Sequence, residues 1–93
     1  MSKIILKGYI LVPEIDLLAV KNELPSHIDH TRNEAGCLVF EVSQDQENTM
    51  RFNVYEEFSN KKAFSAHQER VSKSKWGEVT ANVERHYEIK IDA

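Results

Sequence analysis

The sequence lacks the features that mark secreted, membrane and nucleic-acid-binding proteins. It has one cysteine, Cys37, so an internal disulfide is impossible and a reducing compartment, the cytoplasm, is predicted. No segment approaches the roughly 20 apolar residues of a membrane span. The net charge is −3 and the basic residues form no stripe. Neither nucleic acid nor a membrane is therefore an expected partner.

Motifs for cofactors are also missing. The chain has no phosphate-binding loop, dinucleotide fingerprint, zinc spacing or serine nucleophile motif, so we predict no cofactor and no metal. His27 and His30 have a spacing that can hold one metal ion, but no third ligand is indicated. We expect both to be surface histidines. At 93 residues and 41% hydrophobic composition, the chain is expected to form one domain, residues 1–93, with a single core.

Two prolines and three glycines punctuate the chain. Pro13 ends an alternating apolar strand, and Pro25 interrupts a helical stripe, which predicts a kink or two short helices. Gly36 is a candidate helix cap or turn residue. Asn60 and Ser74 are candidate caps of later helices.

Hydrophobic periodicity predicts the order strand, helix, strand, strand, helix, strand. The predicted strands are residues 4–12, 37–43, 50–58 and 85–91, and the second helix covers residues 60–71. This order is typical of an α+β, ferredoxin-like βαββαβ sandwich with both helices on one face of an antiparallel sheet. In the second strand, Leu38, Phe40 and Val42 are expected to face inward.

The open sheet face mixes apolar and charged side chains. Tyr9, Leu11, Val39 and Tyr55 lie there among lysines, arginines and glutamates of the same strands. Such a face suits a second copy of itself. We therefore expect a homodimer that packs sheet to sheet.

Two ionisable residues fall on the apolar faces of neighbouring elements. Strand alternation puts Glu56 on the same side as Phe58, and helical spacing puts His67 on the stripe of Phe64. If these faces pack together, an imidazole meets a carboxylate in a dry space. The pair is either a satisfied core pair or a general base with its orienting acid. Glu56 has alternatives: bonding to Tyr9 or the backbone, or reaching across a dimer boundary.

The remaining candidates each have a structural alternative. Trp76 is a core residue or an aromatic wall over a planar substrate, and Tyr87 packs or contributes a phenol to the same cavity. Arg70 and Arg85 are surface ion-pair partners or ligands of an anionic group. Three phenylalanines are core residues that are also candidates for lining the pocket: Phe40, Phe52 and Phe64.

Three segments together resemble the antibiotic biosynthesis monooxygenase family. They are residues 36–42 (GCLVFEV), 51–58 (RFNVYEEF) and 63–67 (AFSAH), and the similarity runs from about residue 4 to 91. Residues 67–70 (HQER) and 74–77 (SKWG) resemble one subgroup of it. The chain departs from the family pattern at Ala35, usually proline, at Phe58, often tryptophan, and at Ser72, where a second histidine is frequent.

The resemblance implies a dimeric α+β barrel with a cavity between sheet and helices in each subunit. Relatives include cofactor-free monooxygenases of phenols or quinols, haem-degrading enzymes and an isomerase of a phosphorylated sugar. The leading expectation is therefore a cofactor-independent monooxygenase acting on a small phenol or quinol, with His67 and Glu56 in catalytic roles. The alternatives are a cofactor-free isomerase of a small carbonyl or phosphorylated metabolite, and a non-catalytic dimer that binds a small ligand.

Overall fold

The computed structural model describes residues 2–92, which form a four-stranded sheet and three α-helices. The elements in chain order are β1 (Lys3–Leu11), a 3-10 turn (Glu14–Asp16), α1 (Leu17–Arg32), β2 (Cys37–Gln44), β3 (Arg51–Phe58), α2 (Lys61–Ser72), α3 (Lys75–Val79) and β4 (Glu84–Asp92). None of the helices in residues 2–92 is long and apolar enough to cross a membrane.

The sheet has the strand order β2-β3-β1-β4, and all of its pairings are antiparallel. The two strands joined by a helix are therefore neighbours of other strands rather than of each other, as in a split βαβ unit. This confirms the predicted ferredoxin-like α+β fold. It also puts β1 and β3 in the centre of the sheet.

Strand alternation separates a buried face from an open one. The side chains on the helix-covered face are almost fully buried: Ile4, Leu6, Ile10, Phe40, Val42, Phe52, Val54 and Phe58. Their neighbours along the strands, such as Ile5, Tyr9 and Tyr55, point to the other face and remain half-buried. Glu56 lies in the buried set, as its position in the alternation predicts.

The helices begin largely as the sequence predicts. The Asn60 side chain accepts a hydrogen bond from the Ala63 N–H at 2.8 Å, and the Ser74 hydroxyl accepts one from Gly77 at 3.2 Å. Of the two outcomes predicted for Pro25, two short helices is wrong, because α1 runs through it as a single helix from Leu17 to Arg32. The φ angle of proline is compatible with a helix, and here the missing hydrogen bond costs less than the packing of α1 on the sheet contributes.

One strand prediction is corrected. Leu38 is 54% exposed rather than inward, because a register shift between Cys37 and Val39 makes it the extra residue of a bulge. On β4, Tyr87 and Ile89 share the helix-covered side with their β1 partners Gly8 and Leu6, yet they are 37% and 55% exposed. The helices do not extend over this edge strand. An apolar strip of the sheet is thus left open.

The turn between α1 and β2 requires glycine at position 36. Gly36 has φ of 85°, and a Cβ atom there would lie 2.5 Å from the Ala63 Cβ and 2.8 Å from the Ser59 hydroxyl oxygen. The Gly36 carbonyl also accepts a hydrogen bond from the Ser59 N–H at 2.8 Å. The turn therefore packs directly on the first turn of α2.

We predict that Gly36→Ala lowers the free energy of unfolding by roughly 2–5 kcal/mol, since it adds left-handed backbone strain to steric overlap with α2. Urea denaturation measures the loss. The reverse exchange at an exposed position of α2, Ala66→Gly, is the control and costs about 1 kcal/mol through helix propensity alone. Equal losses in the two variants would contradict the close approach at Gly36.

Candidate functional site

His67 lies on the buried side of α2 and is only 4% exposed. Its ring packs against Phe58, with the ring centroids 4.8 Å apart, and against Phe40, with the centroids 5.8 Å apart. Burial lowers the pKa of His67, and the hydrogen bond to Glu34 partly offsets this effect. The imidazole is therefore shielded from solvent and contacts aromatic rings.

Glu34, in the turn after α1, is the closest polar partner of His67. Its Oε1 is 2.7 Å from His67 Nδ1, and its Oε2 is 2.5 Å from Arg70 Nε. Arg70 also donates from Nη2 to the Thr31 hydroxyl at 3.1 Å. One carboxylate thus joins an imidazole and a guanidinium that stand one helical turn apart on α2.

Glu56 faces the other ring nitrogen. Its Oε1 is 3.8 Å from His67 Nε2, which is longer than a hydrogen bond. Burial, reinforced by the charge of Glu34, raises the pKa of Glu56 to about 7. The predicted meeting of His67 and Glu56 does occur, but the direct hydrogen bond to the ring is made by Glu34.

His27 corrects a prediction, because it is buried rather than on the surface. It is 4% exposed and stacks on Trp76 with ring centroids 4.4 Å apart and ring planes 4° apart. Its Nδ1 is buried without a hydrogen-bond partner among residues 2–92, and burial lowers the pKa of His27 to about 3. The ring is therefore neutral at physiological pH. His30, one turn further on, is exposed as expected.

The other predicted site residues are divided among separate regions. Arg70 and Trp76 line an open cleft of about 470 Å³ between α1 and the α2–α3 segment, together with His27 and His30. Phe52 lines an apolar groove of about 340 Å³ under α1. Phe64 packs edge-on against Phe58 with the ring centroids 5.7 Å apart. Of the predicted aromatic residues, Phe40 lies closest to the imidazole.

Two site residues were missed, and only one had a signal in the hydrophobic periodicity. His27 falls at helical spacing with Val20 and Thr31, both fully buried, so the periodicity of α1 already placed it inward. Glu34 is in a turn, where no periodicity applies, and its role depends on how that turn packs on α2. Within residues 2–92, no cluster of histidine, cysteine, aspartate or glutamate side chains is arranged to hold a metal ion.

The geometry defines what His67 can do. An ionised carboxylate only accepts hydrogen bonds, so in the neutral ring His67 Nδ1 donates to Glu34 and the lone pair is on Nε2. That lone pair points to the side of Glu56. The arrangement is an oriented, buried base facing an acid whose pKa of about 7 lets it hold or release a proton near neutrality.

Comparison with known proteins agrees with this fold. Residues 7–76 match the sequence profile of the family described as antibiotic biosynthesis monooxygenase. This match covers most of the chain, and the protein belongs to that family. No curated protein sequence matches the chain significantly.

Solved structures of low sequence identity share the fold. A putative antibiotic biosynthesis monooxygenase from Nitrosomonas europaea is 22% identical, with a TM-score of 0.75, and the match covers 100% of this chain and 97% of that one. A possible oxidoreductase of unknown function from Bacteroides thetaiotaomicron is 17% identical with a TM-score of 0.81, covering 97% of both chains. A second protein from that organism, a putative antibiotic biosynthesis monooxygenase, is 22% identical with a TM-score of 0.76, covering 99% of this chain and 87% of that one. These likenesses concern the fold.

We predict that Glu56→Gln stabilises the protein at alkaline pH. The pKa of Glu56 is raised from 4.5 to about 7, so the folded state binds the proton more tightly than the unfolded state. The contribution of protonated Glu56 to the free energy of unfolding is fully present below pH 4.5 and is lost as the pH rises through 7. Above that pH the ionised, buried carboxylate lowers the free energy of unfolding by roughly 3 kcal/mol. Urea denaturation at pH 4.5 and pH 8.5 tests this prediction.

The matched control is Glu57→Gln at the adjacent residue. Hydrogen bonds from Tyr55 and Lys3 lower the pKa of Glu57, so its neutralisation has the opposite sign and destabilises the protein at pH 8.5. A Glu56→Gln variant that is no more stable than wild type at pH 8.5 would contradict the uncompensated burial of Glu56.

Proposed function

We propose that this protein is a cofactor-independent monooxygenase that oxidises a small, electron-rich phenol or quinol, with His67 as the base. The observation that carries the proposal is the buried imidazole with one nitrogen bound to Glu34 and the other directed at Glu56. Membership of the antibiotic biosynthesis monooxygenase family supports the reaction class.

In this reaction the substrate supplies all the electrons. His67 Nε2 accepts the phenolic proton, and the electron-rich phenolate transfers one electron to dioxygen. The resulting radical pair forms a carbon–oxygen bond at an unsubstituted ring position. The ring carbon then loses its hydrogen as a proton, and the C–H electron pair forms the quinone carbonyl as the peroxide O–O bond breaks. The departing oxygen takes up this proton and the phenolic proton held by His67, and it leaves as water. One phenol and one dioxygen thus give one quinone and one water.

The apolar surroundings of His67 suit such a sequence. Phe40 and Phe58 contact the imidazole and keep bulk water away from it, which also holds the radical pair together. Glu56, with a pKa of about 7, is proposed to exchange a proton with the substrate on the Nε2 side. Tyr87, on the same side of the sheet as Glu56, is a further proposed substrate contact, whereas Arg70 and Trp76 line a different cleft and Phe52 a different groove.

We propose that the substrate approaches over β4. Ile89 pairs with Leu6, and Leu6 pairs with Glu56, so the three side chains form one row across the helix-covered side of the sheet. Ile89 and the nearby Tyr87 are exposed at the outer end of this surface. Because Leu6 and Glu56 are buried, an aromatic ring on this route reaches the carboxyl group that faces His67 only when the packing over Leu6 opens. Trp76 is less available, because His27 already covers one of its ring faces.

Oxygen consumption with a panel of quinols and polyphenols tests the proposal. We expect uptake well above autoxidation, with one dioxygen consumed per quinone formed, and a roughly 100-fold or greater loss in His67→Ala. Added catalase should release no oxygen, because the reduced product is water. Oxygen release would indicate an oxidase that forms hydrogen peroxide instead.

The matched control is His30→Ala, which removes an exposed imidazole from α1 and is expected to leave the rate unchanged. Uptake that is equal in wild type and His67→Ala would eliminate His67 as the base. No uptake by wild type across the panel would contradict the monooxygenase proposal and would favour isomerisation or ligand binding.

We also propose that two copies associate through the open sheet face. This face carries the half-buried side chains of Ile5, Tyr9 and Tyr55 on its two central strands. Charged groups on it are partly paired within the chain, as in the 3.0 Å contact between Lys3 and Glu57. Large apolar groups among paired charges are suited to a symmetric contact.

Analytical ultracentrifugation of two variants, each with one isoleucine replaced by glutamate, tests the dimer. We expect Ile5→Glu, on the open face of the central strand β1, to weaken association at least tenfold, since it buries an unpaired carboxylate in the contact. Ile15→Glu, at a residue 90% exposed in the turn before α1, should leave association unchanged. A wild-type protein that sediments as a monomer at micromolar concentration would refute the dimer.

A further inference from the structure

We propose that Glu34 is the positioning residue of His67, fixing the ring so that the lone pair is on Nε2, where the substrate binds. The inference rests on the proposed function only in taking the Nε2 side as the side where substrate binds. The orientation of the ring is a property of the free protein. It assigns to a turn residue the role that the sequence suggested for Glu56. Three features of the contact carry it.

The first feature is distance. Glu34 Oε1 is 2.7 Å from His67 Nδ1, within the range of a charge-assisted hydrogen bond, whereas Glu56 Oε1 is 3.8 Å from Nε2. Only Glu34 therefore makes a directional contact that can select between the two neutral forms of the ring. Glu56 is left free on the Nε2 side.

The second feature is the way Glu34 is held. Its other oxygen binds Arg70, which is itself anchored to Thr31 on α1. The backbone of the turn is fixed as well, since the Glu34 N–H donates to the Thr31 carbonyl at 3.0 Å and the Cys37 N–H donates to the Glu34 carbonyl at 3.2 Å. A carboxylate restrained at both ends can restrain an imidazole in turn.

The third feature is the count of acceptors. Arg70 and His67 present two donors to Glu34, and a carboxylate has one oxygen for each. A glutamine at this position has only one oxygen. Because the guanidinium is always charged, it will take that oxygen, and the amide NH₂ group will then face His67 Nδ1. Glu34→Gln should therefore move the proton of the neutral ring from Nδ1 to Nε2, and not merely reduce the preference for Nδ1.

Nitrogen NMR of the histidine side chains measures the tautomer without any substrate. In wild type we expect His67 to carry its proton on Nδ1 when neutral, and in Glu34→Gln to carry it on Nε2, a change of the tautomer ratio of roughly tenfold or more. The double variant Glu34→Gln with Arg70→Ala should restore the Nδ1 proton, because the amide oxygen is then free to face His67. A role in stability alone predicts no such reversal and recovery.

The titration of His67 gives a second readout. The charged or titratable side chains around the ring are Glu34, Glu56, Arg70 and His27, whose ring centroid is 6.2 Å from that of His67. Replacing Glu34 by glutamine removes the carboxylate that raises the pKa of His67, so the pKa should fall further. Glu69→Gln, at an exposed residue of α2 that pairs with Lys73, is the matched control and should change neither readout.

The outcomes separate this inference from the proposed function. An unchanged tautomer in Glu34→Gln would overturn the positioning role, whatever the activity. Inversion of the tautomer in a protein that consumes no oxygen would support the positioning role and count against the monooxygenase. If both hold, Glu34→Gln should lower kcat at least tenfold with little change in KM, because ring orientation affects the proton transfer rather than binding.

Discussion

The burial of an imidazole between two carboxylates is the constraint on which the rest of this structure depends. A buried ionisable group is tolerated only when hydrogen bonds or an opposite charge compensate its desolvation. His67 meets that requirement through Glu34, and Glu34 meets it through Arg70. Glu56 has no comparable partner, so its pKa rises to about 7 and it can remain neutral. The site thus contains one compensated group and one uncompensated group, side by side.

This asymmetry depends on a turn rather than on the sheet. Gly36 allows the α1–β2 turn to lie against Ala63, the residue one helical turn before His67. The same turn carries Glu34, which therefore reaches His67 and Arg70 on the adjoining face of α2. The close packing at Gly36 and the hydrogen bond to His67 therefore both result from one contact, that of the α1–β2 turn with α2. The hydrogen bond that holds the buried imidazole is in this way supported by a packing contact that bears no charge.

The sheet contributes two unequal surfaces. The covered side provides the apolar walls of the site, and its uncovered end at β4 exposes Tyr87 and Ile89 beside the row that contains Glu56. The open face carries aromatic and charged side chains that stay half-buried, such as Tyr9, which stacks on His86 with the ring centroids 4.7 Å apart. The first surface relates to the proposed chemistry and the second to the proposed assembly, so substitutions can address them separately.

Periodicity in the sequence determined the fold class, the strand order along the chain and the inward positions of Glu56 and His67, because local alternation decides which side of an element a residue occupies. The same reasoning was available for His27 and would have placed it correctly. Periodicity had no bearing on the bulge at Leu38, the uncovered β4 or the partner of His67. Those features depend on register, on the reach of the helices and on the packing of a turn against α2. The tertiary structure decided that Glu34 holds the imidazole, because hydrophobic periodicity does not encode a hydrogen bond between residues far apart in sequence.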